Sequence, residues 1–182
     1  MEKEESAIIL DYLPNGYPFD MRPMHRKTPI AQALGVSHFP LLEIVPKKGI
    51  SLQIAEEVYT GDGKRDKVHH IVGRIPVSKL TQTARAELEF AIKKIVDKDR
   101  ARYLDFFNKA GPITARRHQL ELLPGIGKMH MWEILEARKE KPFENFEDIK
   151  GRVKLLPDPE KVIMKRILME LEEADKYKIF VR

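Results

Sequence analysis

At 182 residues, 42% of them hydrophobic and 34% charged, the chain can build one large or two small globular domains, and its composition argues against disorder. It has no cysteine, which excludes disulfides, thiolate metal centres, iron–sulfur clusters and a thiol nucleophile. A net charge of +5 with a pI near 9.3 mildly favours an anionic partner.

The opening Met1-Glu2-Lys3-Glu4-Glu5 is polar and does not read as a secretory leader, and no apolar run approaches the ~20 residues of a membrane helix. A soluble, cytoplasmic protein without membrane contact is expected. Ala7–Leu13 reads as a strand stopped by Pro14-Asn15-Gly16, and Phe39–Val45 as a second, closed by Pro46-Lys47-Lys48-Gly49. Ile50–Ile54 alternates apolar and polar residues, as a half-buried strand does. Val58-Tyr59-Thr60 leads into Gly61-Asp62-Gly63-Lys64, which reads as a hairpin turn returning through Val68–Ile75. Short strands so closely spaced suggest a small barrel over residues 1–78. From Lys79 the period changes to 3.6. Thr83–Val96 is an amphipathic helix, Asp99–Lys109 continues helically to Gly111-Pro112, and Thr114 can cap a helix through Leu123. Met129–Arg138 and Asp158–Ala174 complete the helices, and Tyr177–Val181 has the character of a strand returning to the barrel. The expected fold class is α+β in two domains, a β-barrel (1–78) and an all-α domain (79–182).

Charge is unevenly placed along the chain. Residues 93–118 hold eight basic side chains against Asp97, Asp99 and Asp105, just ahead of Leu122-Leu123-Pro124-Gly125-Ile126-Gly127-Lys128. In that segment the glycines allow a tight turn whose amides open the next helix. Such amides, the helix dipole and Lys128 together attract a phosphate without reading base edges. An offset of 33 residues lays Leu122–Leu135 over Leu155–Leu168 with seven of fourteen positions identical. Amphipathic helices after proline turns share some leucines in any case; the more specific reading is a duplicated helix–turn–helix unit. The second copy replaces both glycines with Asp158 and Glu160, carboxylates expected to repel phosphate. One binding hairpin (114–139) and one degenerate structural partner (147–172) follow.

Leu-Pro-Gly-Ile-Gly-Lys resembles the helix-hairpin-helix signature of DNA repair and replication proteins, although Met131 and Trp132 stand where that family favours a small residue. Over nearly its whole length the chain resembles an uncharacterised archaeal family joining an oligonucleotide/oligosaccharide-binding (OB-like) barrel to a helix-hairpin-helix domain. That resemblance implies nucleic-acid binding, RNA slightly ahead of DNA because members' genes lie among those for translation and RNA modification. The alternative is a protein-interaction module of the translation or transcription machinery. A charged composition with only four Gln and three Asn suits a thermophile.

The candidate contact residues are Gly125, Ile126, Gly127, Lys128 and Met129 of the hairpin, with Arg116 and Arg117 ahead of it. On the barrel they are Arg26 and Lys27 in a Pro/Met-rich loop and Lys64, Arg65 and Lys67 around the Gly61–Gly63 turn, with Tyr59 as a possible stacking ring. Solvated faces and basic loop tips explain such clusters equally well, and Arg138, Lys139 and Lys141 suit a helix C-terminus without any ligand. Trp132, Phe106 and Phe107 fall on apolar stripes and read as core. His69-His70 is not expected to share a metal, since successive strand residues face opposite ways. His118 and His130 flank the hairpin, but proximity alone does not make an acid–base pair. No catalytic constellation, Walker loop, metal set or cofactor motif is visible, so no enzyme activity is expected.

Overall fold

The computed structural model describes residues 3–172 and 175–182. The fold is mixed α+β, with a curled, five-stranded antiparallel half-barrel sheet and, among the described residues, five α-helices. Two compact units divide the chain inside the first helix: Met1–Ala91 with Phe180–Arg182, and Ile92–Ile179.

In the first unit, β1 (Ser6–Leu13), β2 (Ile30–Gly35), β3 (Leu41–Pro46), β4 (Glu57–Tyr59) and β5 (Val68–Arg74) lie in the order β4-β1-β2-β3-β5. Ala7 and Ile9 of β1, Ala31 and Ala33 of β2 and Leu42 and Ile44 of β3 form one buried cluster with Leu52, Val58 and Val68. Ile8, Leu10 and Leu34 point the other way and are also buried. The central strands are therefore apolar on both faces and lose the alternation that marks a half-exposed strand. The sequence reading misses β2 for this reason: Ile30-Ala31-Gln32-Ala33-Leu34-Gly35 carries no period of two and is rich in helix formers. Gln32, fully buried, is satisfied on every side. Its amide donates to the Lys79 carbonyl (3.0 Å) and the Tyr17 hydroxyl (3.1 Å), and its carbonyl accepts from the Thr81 amide (2.9 Å). Tyr17 in turn donates to Glu43 at 2.5 Å, and burial together with that bond pushes its pKa up to about 12. This network pins the base of the loop that carries Arg26 and Lys27.

Three expectations for this unit are corrected. Ile50–Ile54 is not a strand: Leu52 is buried in the core with Ile50 packed against it, and Ala55 and Glu56 beyond take the backbone bonds of Ile9, where a bulge shifts the β1 register. The Gly61–Lys64 turn is not a hairpin, because β4 pairs with β1 and β5 with β3, at opposite edges of the sheet. Tyr177–Val181 adds no strand. Phe180–Arg182 nonetheless belongs to the first unit, held where the Arg182 amide donates to the His38 carbonyl (3.1 Å) and Arg74 donates to the Arg182 carbonyl (2.7 Å).

The helices are α1 (Gln82–Lys98), α2 (Arg100–Lys109), α3 (Lys128–Glu140), α4 (Phe146–Arg152) and α5 (Pro159–Leu171). Glu173 and Ala174, the end of the expected last helix, lie outside the described residues. The helix expected over 114–123 is absent. Gly111-Pro112 breaks α2, and β-branched Ile113 and Thr114 form a two-stranded ribbon, β6 (Pro112–Thr114) with β7 (Arg117–His118), followed by a 3-10 turn over Gln119–Leu122. That turn has a capping box: the His118 ring accepts from the Leu120 amide (3.1 Å) while Glu121 accepts from the His118 amide (2.8 Å). Tyr103, Phe107, Leu120, Ile134, Ile149, Ile163 and Ile167 are wholly buried in this second unit, and Phe107 meets Phe146 edge to face at 6.3 Å. Among the described residues no helix is long and apolar enough to cross a membrane.

Candidate nucleic-acid interface

The segment Leu123-Pro124-Gly125-Ile126 closes with the Ile126 amide donating to the Leu123 carbonyl at 3.1 Å. Pro124 presets its own φ, and Gly125 supplies φ +83°, the positive value a type II turn demands at its third residue. Ile126 is buried and anchors the turn, so only its backbone is available to a ligand. Gly127 is the N-cap of α3, with an ordinary φ of −96° and no side chain to cap with. The first helical bond runs from the Met131 amide to the Gly127 carbonyl (3.0 Å). Among the described residues nothing accepts from the amides of Lys128, Met129 and His130. These are the unpaired donors every helix leaves at its start. Lys128 and Met129 are exposed and His130 is half-buried, and the positive end of the helix dipole lies at these amides.

Lys128 is exposed at this end, but its charge is partly engaged. Its ammonium lies 3.4 Å from Glu121 and donates to the Arg116 carbonyl at 3.2 Å. The His118 amide holds the Glu121 carboxyl below the usual range despite some burial, and Lys128 assists. Arg116 sits exposed in the two-residue turn between β6 and β7, beside Lys128, rather than on a helix as expected. Arg117 turns elsewhere: it lies 3.7 Å from Asp175 and stacks over Tyr177. His118 is buried and serves as the cap described above. Burial, then the charge of Arg138, hold its pKa below the ordinary 6.5, and its acceptor role requires a neutral ring.

The second copy answers the same problem internally. Asp158 is the N-cap of α5, accepting from the amides of Glu160 (3.0 Å) and Lys161 (3.2 Å), and Pro159 opens the helix. Its carboxylate occupies the capping position that Gly127 leaves without a side chain at α3. Partial burial pushes the Asp158 carboxyl up, but the Lys161 amide and Lys150 (3.3 Å) outweigh it and leave the pKa low. The two turns lie close together: a Cβ added at Gly125 would stand 3.2 Å from Pro157 Cγ. Arg166 of α5, 1% exposed, ties the first turn down. It donates to the Leu122 carbonyl (3.1 Å), to buried Glu170 (2.7 Å), to Asp175 (3.2 Å) and to the Tyr177 carbonyl.

A family model described as protein of unknown function (DUF655) matches residues 3–182. The chain belongs to this family. The uncharacterized protein MJ0038 of Methanocaldococcus jannaschii is 43% identical over 181 residues, covering 98% of this chain and 80% of that one. The crystal structure of Af1531 from Archaeoglobus fulgidus, described as a DUF655 family model, matches with a TM-score of 0.91 and 47% identity, covering 98% of this chain and 100% of that one.

The remaining candidates of this DUF655 chain lie in the first unit. Arg26 is exposed in a 3-10 turn (Met24–Arg26), with Lys27 half-buried after it. Lys64 is exposed, Arg65 donates its Nε to the Gly61 carbonyl (2.7 Å), and Lys67 pairs with Glu56. Among the described residues no hydrogen bond or ion pair joins these two clusters. Tyr59 is 40% exposed, its hydroxyl accepting from the Gly63 amide (2.9 Å). The alternation assumed for His69 and His70 does not hold: a bulge at His69 breaks it, and the two Nδ1 atoms come within 2.7 Å. No group of three metal-ligating side chains occurs among the described residues. Phe107 is core, as expected, and Phe106 is half-buried, whereas Trp132 is 59% exposed, alongside exposed Met129. Leu155, equivalent by the repeat to buried Leu122, is 94% exposed with φ +62°. The exposure of Trp132 carries no sequence signal, since apolar residues lie around much of the circumference of α3. Arg166 was also missed: an arginine within an apolar helix suggests a buried ion pair only once Glu170 four residues on is noticed.

Proposed function

We propose that this DUF655 protein binds nucleic acid with little sequence preference, RNA slightly ahead of DNA, and that the start of α3 clamps a backbone phosphate. The observation that carries the reading is the contrast between the paired turns: α5 caps itself with Asp158, whereas α3 leaves its amides open beside Lys128, Met129 and Arg116. A bare glycine cap makes good sense where an anion arrives from outside. In this reading the turn and its flanks are a helix-hairpin-helix whose first helix is shortened to a 3-10 turn. The five-stranded sheet is an OB-like, partly open barrel whose Lys64, Arg65, Arg26 and Lys27 add backbone contacts. Arg117 and Lys67, already paired, contribute less.

The test is fluorescence anisotropy of the whole chain with labelled single-stranded RNA, single-stranded DNA and duplexes of unrelated sequences, across a salt series. Log affinity should fall linearly with log salt, by about 0.7 per single-strand phosphate contact or about 0.9 on duplex, and vary little with sequence. Absence of binding at low salt, or affinity indifferent to salt, refutes the proposal.

A second reading, a protein-docking module of the translation or transcription machinery, has its own support. Trp132 and Leu155 line one groove together with Glu133, Glu136 and Glu140 and with Lys139, Arg152 and Lys154. Exposed apolar anchors ringed by charges of both signs suit a protein partner.

A further inference from the structure

Because β4 and β5 occupy opposite edges of the curled sheet, the sheet leaves a cleft of about 620 Å³ on the first unit. This lies within the roughly 300–1,000 Å³ of small-ligand sites. Pro40, Leu42, Ile71 and the bare backbone of Gly73 supply apolar surface. Lys3, Arg65 and Arg74 also line it, as does the ring of His70.

The acidic lining residue, Glu4, is held back from the cleft by backbone amides, and its one negative charge is outnumbered by the cations of Lys3, Arg65 and Arg74. It is 7% exposed, and its two oxygens accept from the amides of Ser37 and His38, each at 2.7 Å. The arginines, by contrast, are held in place but not used up. Arg65 gives its Nε to the Gly61 carbonyl and Arg74 one Nη to the Arg182 carbonyl, each at 2.7 Å. Among the described residues their other donors have no acceptor. Lys3 pairs with Asp62 on the exposed rim (2.8 Å). Two positioned guanidinium groups over an apolar floor match a ligand with a phosphate at one end and a flat, weakly polar body at the other.

We propose that this cleft binds a nucleoside monophosphate unit, either a free nucleotide or the phosphorylated end of a strand, with the phosphate on Arg65 and Arg74 and the base against Leu42 and Ile71. Every lining residue belongs to the first unit, so the proposal stands independently of the α3 turn.

The experiment is an amide-resolved NMR titration of the full chain with AMP, UMP, uridine, inorganic phosphate, and a 12-nucleotide RNA with or without a 5′-phosphate. Ile71, Gly73 and Arg74 signals should move with AMP or UMP and not with uridine, and inorganic phosphate should bind about tenfold more weakly or less. Arg65→Ala and Arg74→Ala should each weaken AMP and UMP binding about tenfold or more, while Gly127→Asp, which fills the anion position at the start of α3, should leave AMP and UMP binding intact. A preference for the phosphorylated RNA over AMP assigns the strand end as ligand, and the reverse assigns the free nucleotide; either supports the site. No movement of these signals with any phosphate-bearing probe, or movement equal in both arginine variants and the wild type, overturns it. Binding of an acetylated Asp/Glu tetrapeptide where nucleotides fail overturns it in favour of an acidic peptide.

Discussion

Gly127→Asp turns the start of α3 into a chemical copy of the start of α5. Gly127 has φ −96°, and a Cβ there meets nothing within 4 Å, so the substitution needs no rearrangement. The new carboxylate can accept from the Met129 and His130 amides as Asp158 accepts from Glu160 and Lys161. Replacing a glycine cap by aspartate contributes a few tenths of a kcal/mol, and the charge against the helix dipole contributes about 0.3–1 kcal/mol. At about 2–4 °C per kcal/mol for a chain of this size, Tm should rise by roughly 1–5 °C. Binding should move the opposite way. Amide contacts to a phosphate are charge-assisted and worth about 1.5–3 kcal/mol, so affinity for RNA or DNA should fall roughly 10- to 150-fold. The salt slope should also shrink by about one phosphate contact. Thermal melts and anisotropy titrations between about 50 and 200 mM salt measure both effects. A folded Gly127→Asp protein with wild-type affinity and slope would refute the phosphate clamp at α3.

Gly125→Ala should behave differently from its neighbour. The residue holds φ +83° and its Cβ would crowd Pro157, so a loss of about 1–2 kcal/mol is expected, seen as a lower Tm; an unchanged melt would show that the turn relaxes freely. Arg166→Met removes the guanidinium that balances buried Glu170, which keeps its bond from the Ile179 amide, and unties the Leu122 carbonyl; it should cost about 3–5 kcal/mol, with Glu170→Leu in the same chain restoring part of it. His118 gives a pH signature. Because its folded pKa lies below the ordinary 6.5, the unfolded chain binds its proton first, so this contribution is present above about pH 6.5 and is lost as pH falls below it. Tm should therefore drop between about pH 7 and pH 5, and His118→Asn should flatten that part of the profile.

Much of the fold is legible where the signal is local. The helices α1, α2, α3 and α5 follow from a 3.6 period between proline and glycine stops, and β1, β3 and β5 from β-branched runs with clear ends. The ribbon at Pro112–His118 was hidden because Leu120, Leu122 and Leu123 mimic a helical stripe although the chain there makes only a 3-10 turn. The capping role of Asp158 adds to the one expected of it for a physical reason: carboxylates that repel a phosphate are also the best ligands for the amides that would bind one.

The type II turn of Pro124-Gly125, the uncapped start at Gly127 and the self-capped start at Asp158 are all determined by the sequence itself. They depend on backbone preferences and side chains within a few residues. Only the tertiary structure decided that Ile30–Gly35 runs through the middle of the sheet, that Trp132 and Leu155 face solvent, and that Lys3, Arg65 and Arg74 line one cleft. Those outcomes depend on which distant strands pair and which apolar faces find cover. Ser6 opposite Tyr59 and Leu42 opposite Arg74 are such pairings, and no periodicity read along the chain contains them.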